Sequence, residues 1–182
     1  MKSESIVDLL EACLKFKLKF DPERRFTRVA HPSPLGQGIP TLAQGVYRPF
    51  SPQLRIRFEQ FGRWEFATHG DWLGLEDMEN LWLAEALDDW SKAISLSRIA
   101  SEENWANDAA ALFRPDRLSL FACSTIGFER VYLLWLDWEE EPELWVYDSN
   151  GELRFADLAE YLTGEVNNTG HTYSRPWKLK KQ

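Results

Sequence analysis

The sequence contains one cluster of carboxylates that is flanked by tryptophans. The acids are Asp137, Glu139, Glu140, Glu141 and Glu143, and the tryptophans are Trp135, Trp138 and Trp145. A glycosidase needs two carboxyl groups, one protonated as an acid and one ionised as a nucleophile or base. These acids are crowded on one predicted turn, however, whereas glycosidase carboxylates come from separate strands across a cleft. Two interpretations remain, a solvated acidic turn and an acidic surface that binds a protein.

Other catalytic and metal-binding motifs are missing from the sequence. It contains no Gly-x-Ser-x-Gly, no phosphate-binding glycine loop and no His-Glu-x-x-His. The histidines His31, His69 and His171 are widely separated, so we expect solvent-exposed or loop histidines rather than metal ligands. Cys13 and Cys123 lie on apolar segments and are predicted to be buried, reduced thiols. We therefore expect no metal, no cofactor and no catalytic residue.

Charge is unevenly distributed along the chain, whose formal net charge is −8. Residues 1–70 carry eleven Lys or Arg against seven Asp or Glu, residues 71–165 carry six against 22, and the tail from Val166 carries four against none. The acidic central segment should repel nucleic acid and attract a basic protein, although simple solubility also explains it. The sequence contains no apolar run of about 18 residues, so no membrane span is predicted. The first helix contains acids, unlike a secretory signal, so we expect a cytoplasmic location.

The pattern between Arg117 and Leu162 predicts several strands followed by a helix. Short apolar runs separated by turn residues predict strands at residues 118–123, 130–138 and 144–147. Asn150-Gly151 favours a tight hairpin turn, so we expect the chain to return in a strand through Leu153 and Phe155. From Phe155 the apolar residues are spaced at i, i+3, i+4 and i+7, which predicts a helix that ends at Gly164.

The N-terminal part of the sequence is less regular. A first helix is predicted after Ser3 or Ser5, with Ile6, Leu9, Leu10, Cys13 and Phe16 on its apolar side. Residues 31–52 hold five of the nine prolines and predict a long irregular loop, which is either a functional surface or an ordered segment packed on the sheet. The alternation of residues 54–58 predicts a strand, and Gly62 would turn it into a second strand through Trp64 and Phe66.

Two more helices are predicted in the middle of the chain. Apolar residues spaced four apart predict a helix of about five turns through residues 76–94. Its tryptophans are expected to belong to the hydrophobic core. Ser101 is expected to cap a shorter helix that ends before Pro115.

The order of these elements resembles the C-terminal half of the SUKH superfamily, which includes fungal cell-wall-synthesis regulators and bacterial immunity proteins. The resemblance is carried by Phe121, Ala122, Gly127, Val146, Tyr147 and Asp148 at strand ends, and by Phe155, Asp157, Leu158, Tyr161 and Leu162 around the closing helix. The family's N-terminal signature, a Pro followed by a Tyr-rich helix and an Asn-Gly turn, has no counterpart here. The resemblance implies a protein that binds and neutralises a toxin domain.

These observations predict a single α+β domain over residues 1–165, followed by a basic tail over residues 166–182. Its sheet is expected to be mixed or antiparallel, with five or six strands and with helices on one face. On the resemblance, we expect a non-enzymatic bacterial immunity protein with a basic toxin domain as its partner.

The partner-binding residues of this hypothesis lie on and near the acidic turn. They are Asp137, Trp138, Glu139, Glu140, Glu141, Glu143, Trp145 and Asp148. Trp138 and Trp145 are expected to be the anchors of the interface. The alternatives are a carbohydrate- or cell-wall-related binding protein, in which exposed tryptophans stack on sugar rings, and a regulatory scaffold with a peptide partner.

Overall fold

The computed structural model describes residues 5–81, 114–127, 129–149 and 151–167. The helix predicted through residues 76–94 is not continuous, because the helix that begins at Leu75 ends at Glu79. Its part beyond Leu81, the predicted helix after Ser101 and the tail from residue 168 lie outside the described ranges. The described chain has an α+β fold, as predicted, with four α-helices and a mainly antiparallel arrangement of strands. None of the described helices has the length and the apolar character required to cross a membrane.

The strands form a large sheet and a small one. They are β1 Arg28–Val29, β2 Ile39–Pro40, β3 Tyr47–Arg48, β4 Trp64–Ala67, β5 Gly70–Trp72, β6 Leu118–Cys123, β7 Arg130–Leu134, β8 Glu143–Asp148 and β9 Gly151–Phe155. Seven of them form one antiparallel sheet in the order β1-β4-β5-β6-β7-β8-β9, which exceeds the five or six strands predicted. The other two, β2 and β3, pair with each other inside the proline-rich segment 31–52.

The strands predicted after Arg117 are all present. β7 ends at Leu134, earlier than predicted, although the Trp135 N–H still donates to the Arg117 carbonyl at 2.9 Å. β8 and β9 form the expected hairpin, in which Gly151 pairs with Asp148 and has a φ of 118°. A glycine suits this position because other residues rarely adopt a positive φ.

The helices are α1 Ile6–Leu18, α2 Pro52–Gln60, α3 Leu75–Glu79 and α4 Leu158–Val166. Ser5 caps α1 in a reciprocal arrangement with Asp8, as a capping box does. Helices α1, α2 and α4 contact one another, and the Tyr161 ring of α4 lies against rings of the sheet at Trp72 and Phe155, with centroid distances of 5.9 and 5.3 Å. These three helices therefore share one face of the large sheet.

Helix α4 continues to Val166, so the prediction that it ends at Gly164 is wrong. A Cβ atom at Gly164 would lie 3.1 Å from the Phe155 ring. The glycine is therefore a point of close approach between α4 and β9 rather than a helix terminator.

Residues 52–60 form helix α2, so the strand predicted through residues 54–58 is wrong. Pro52 occupies the first turn, where a proline is favoured, and the buried side chains are Leu54, Arg57 and Phe58. Their spacing of i, i+3 and i+4 defines one face of a helix. The hairpin in this part of the chain is instead β4–β5.

Candidate functional site

The structure buries two of the predicted partner-binding residues. Trp145 has no exposed surface and Glu143 is 6% exposed. Glu143 forms an ion pair with Arg154, whose guanidinium carbon lies 4.6 Å from the centroid of the Trp145 ring. Neither side chain can reach a partner in this arrangement, so the prediction that Trp145 anchors an interface is wrong.

Two further acids of the predicted site make contacts within the fold. The Glu141 carboxylate accepts hydrogen bonds from the Ser51 hydroxyl at 2.6 Å and from the Gln53 N–H at 2.8 Å, so it caps the N-terminus of α2. Burial raises the pKa of Glu141, while these two hydrogen bonds oppose the shift. Asp137 forms ion pairs with Arg48 and Arg117.

The rest of the predicted site is divided between two places. Glu139 and Glu140 are exposed, and Trp138 beside them is half-buried. Asp148 lies apart from them, with its carboxylate 3.9 Å from Nε2 of His69. The part of the acidic turn that faces solvent thus comprises Asp137, Trp138, Glu139 and Glu140, and their role in partner binding stays a prediction.

The described tryptophans offer little surface to a sugar ring. Trp64, Trp72 and Trp145 are fully buried, and Trp135 is 7% exposed and donates to the Ser119 hydroxyl at 3.0 Å. Stacking on a sugar requires an exposed aromatic face. Among these side chains only the half-buried Trp138 offers part of one, which weakens the carbohydrate-binding alternative.

A groove of about 520 Å³ opens at one end of the large sheet. The β4–β5 turn, the β6–β7 connection and the last turn of α1 form its walls. The side chains that line it include Lys17, Phe66, His69, Ser124, Ile126 and Glu129. We refer to this feature as the His69 groove. The sequence did not predict a site here: Phe66 was assigned only to a strand and Gly127 only to a strand end, and His69 was expected to be an exposed or loop histidine.

His69 lies in the β4–β5 turn, but its side chain is only 13% exposed. Its Nδ1 atom is 3.1 Å from the Tyr161 hydroxyl. Burial lowers the pKa of His69, although nearby Asp148 opposes the shift, and burial raises the pKa of Tyr161 well above its usual value. At neutral pH a protonated phenol and a neutral imidazole therefore share this hydrogen bond, and its direction depends on the imidazole tautomer.

Titratable groups of α1 and α4 lie next to the histidine. Burial lowers the pKa of Lys17 and raises that of Glu165, and the charge of each opposes the shift of the other. Cys13, one turn before Lys17, is a free and buried thiol whose pKa burial raises to about 12. Cys123 is likewise free and buried. Both cysteines are thus reduced and buried, as predicted, and the acidic and basic groups next to the groove are partly desolvated.

The groove contains two non-glycine residues in the left-handed region of backbone conformation. Phe66 has a φ of 54° and His69 a φ of 57°. The pairing of β4 with β5 shifts register between Trp64 and Ala67, and the Asp71 carboxylate accepts the Phe66 N–H at 2.9 Å. This irregularity turns the Phe66 side chain outward, although it lies two positions after the buried Trp64 in the same strand.

Exposed apolar side chains surround the groove. The large ones in the described residues are Phe20, Phe26, Val46, Phe66 and Ile126, of which the last two and Phe26 lie at the groove. Phe66 and Ile126 line the groove, and the Phe26 ring is 5.4 Å from the Phe66 ring. We call Phe26, Phe66 and Ile126 the apolar rim.

The described residues contain no group of three or more His, Cys, Asp or Glu side chains arranged to hold a metal ion. Searches of protein-family models, curated proteins and solved structures find no match for this chain. The resemblance to the SUKH superfamily therefore stays a prediction.

Proposed function

We propose that this chain is a non-enzymatic binding protein that engages a protein partner through the His69 groove and the apolar rim. The observation that carries the proposal is the convergence of exposed apolar side chains on a concave surface. Ile126 is 86% exposed, Phe66 58% and Phe26 57%. Contiguous exposed apolar surface marks interaction sites, and aromatic side chains are enriched in protein interfaces.

The conformation of Phe66 supports the same conclusion. A bulky residue in the left-handed region costs about 1–3 kcal/mol, and such strain clusters at functional sites. In the folded chain the Phe66 side chain is exposed, so its burial does little to offset this cost. A partner that covers Phe66, Phe26 and Ile126 would bury these side chains and offset the cost in the complex.

The most specific form of this proposal is an immunity protein that neutralises a toxin by binding it, as the resemblance implies. A cytoplasmic location belongs to this form of the proposal. Such a protein needs no catalytic residue, because occupying the toxin surface is sufficient. The exposed part of the acidic turn, with Trp138, Glu139 and Glu140, could add a second contact.

The proposal can be tested by a pull-down from lysate and secreted fractions of the native host. The bait would be the wild-type chain, a Phe66→Ser/Ile126→Ser variant, a Glu139→Lys/Glu140→Lys variant and a Val46→Ser control. Val46 is 40% exposed but lies outside the rim, so its substitution controls for the loss of an exposed apolar side chain. Circular dichroism would verify that each variant is folded.

We expect one stoichiometric protein on the wild-type and V46S baits that is lost from the groove variant. Its toxicity when expressed alone, and relief on co-expression with this chain, would establish neutralisation. A protein lost only from the Glu139/Glu140 variant would assign binding to the acidic turn instead. A protein retained equally by all baits would exclude both surfaces.

A further inference from the structure

Basic side chains border the apolar rim, although the chain as a whole is acidic. From this charge distribution we infer that the His69 groove receives an acidic protein segment that also carries apolar side chains. The inference rests on the proposed function and specifies the chemistry of the partner. The sequence alone led us to expect a basic partner, because residues 71–165 are acidic. The charges beside the groove favour an acidic partner instead.

The cations come from the end of α1 and the loop that follows it. Lys17 lines the groove, and Lys19 follows it by two residues, with Nζ 5.9 Å from the centroid of the Phe16 ring. Arg24 lies on the exposed loop that leads to Phe26. Within the described residues, no carboxylate lies at ion-pair distance from Lys17, Lys19 or Arg24. Lys19 and Arg24 therefore remain available to a partner, whereas the charge of Lys17 is partly offset by the nearby Glu165.

The acids close to these cations make contacts within the fold. The Asp21 carboxylate accepts the backbone N–H groups of Arg25, Phe26 and Thr27 at 2.9, 2.8 and 2.6 Å. Glu23 forms an ion pair with Arg25. Residues 17–25 carry four basic side chains against these two carboxylates, so the segment keeps a net positive charge of two.

Two acids line the groove, and one of them, Asp71, forms an ion pair with Arg63. Glu129, in the β6–β7 connection, lines the groove, and its carboxylate lies against Gly127. A carboxylate of the partner should therefore bind on the Lys17 side, away from Glu129. An apolar side chain of the same segment would then lie against Phe66 and Ile126.

The charge of the whole chain would orient such a partner. Residues 71–165 carry 22 acids against six bases, so most of the surface would repel an acidic segment. Opposite charge at the partner's binding site and like charge elsewhere favour a single docking orientation. The basic rim is thus the face at which an acidic partner would bind.

A library of random dodecapeptides displayed on phage would test this inference on the full chain. We expect the selected peptides to combine Asp or Glu with Phe, Leu, Ile or Trp. In amide NMR spectra they should shift residues 66–71 and 124–129. A Lys17→Glu/Lys19→Glu/Arg24→Glu variant should bind them at least about tenfold more weakly. An Arg55→Glu/Arg114→Glu control, with exposed arginines outside the rim, should bind them as the wild type does.

Three other results would contradict the inference of an acidic partner. Basic or neutral peptides that bind in the groove would overturn the acidic partner and leave the proposed function standing. Peptides that bind only elsewhere, or no selection at all, would reject the groove as a protein-binding site and so reject both. An oligothymidylate that binds the rim more tightly than the selected peptides would assign the cations to nucleic acid and overturn the inference.

Discussion

Nδ1 of His69 lies 3.1 Å from the hydroxyl of Tyr161, a residue 92 positions later in the chain. The contact joins the β4–β5 turn to helix α4 and fixes the imidazole at the base of the groove. Nε2 of the same ring lies 3.9 Å from Asp148 at the end of β8. One histidine thus links three elements that come from both halves of the chain.

This contact predicts a pH dependence of stability. Burial lowers the pKa of His69 in the folded state below its unfolded value of about 6.5, so the unfolded chain takes up a proton first as the pH falls. The stability that neutral His69 contributes is present above pH 6.5 and is lost as the pH falls toward the folded pKa. We expect the wild type to lose up to about 1.4 kcal/mol per pH unit in this range.

Urea unfolding between pH 7 and pH 5 would measure this loss, with a His69→Gln variant as the reference. Glu165 and Glu141 have raised pKa values and act in the opposite direction, so only the difference between the two proteins isolates the histidine. Imidazole NMR titration should place the folded pKa below 6.5. Parallel pH profiles for the two proteins would show that His69 is not protected from protonation.

A second prediction concerns the conformation of Phe66. Asparagine tolerates the left-handed region better than phenylalanine does, so Phe66→Asn should raise the free energy of unfolding by about 1 kcal/mol. A Phe26→Asn variant is the matched control, because it removes the same ring contact without relieving the backbone. Under the proposed function F66N should also bind the partner more weakly. If F66N is no more stable than F26N, the left-handed backbone conformation of Phe66 does not destabilise the folded state.

A third prediction concerns the buried Arg57 of α2, which has no exposed surface. Its guanidinium donates to the Phe61 and Leu73 carbonyls at 3.0 and 2.8 Å, and burial lowers its pKa to about 9, although Asp77 opposes the shift. Arg57→Ala leaves both carbonyls without this donor and should cost about 3 kcal/mol. Arg55→Ala on the exposed side of the same helix should change stability by less than about 0.5 kcal/mol. Urea unfolding of both variants would test this, and equal costs would contradict the role assigned to Arg57.

A fourth prediction separates the buried and exposed acids near the acidic turn. Glu143→Ala removes one partner of the buried ion pair with Arg154 and should cost about 3–5 kcal/mol. Glu139→Ala and Glu140→Ala should each change stability by less than about 0.5 kcal/mol, because both side chains are exposed. Thermal or urea unfolding would compare the three. A small effect of E143A would mean that the Glu143–Arg154 pair contributes little in the folded state.

The sequence by itself determined the α+β class, the strands after Arg117, helix α1 and the two buried cysteines, whereas it left the cap of α1 open between Ser3 and Ser5. These features depend on patterns within short stretches of chain. Alternation, turn residues such as Gly151 and the spacing of apolar side chains act between neighbours, so they can be recognised without the rest of the fold.

Only the tertiary structure decided which charged and aromatic residues reach solvent. Glu141 caps a helix that begins some 90 positions earlier, and Trp145 belongs to the buried interior of the sheet. Phe66 faces outward because the β4–β5 register shifts and Asp71 holds its backbone. The groove forms where α1, β4–β5 and β6–β7 meet. Such features arise from contacts between distant segments, and local sequence patterns carry no record of them.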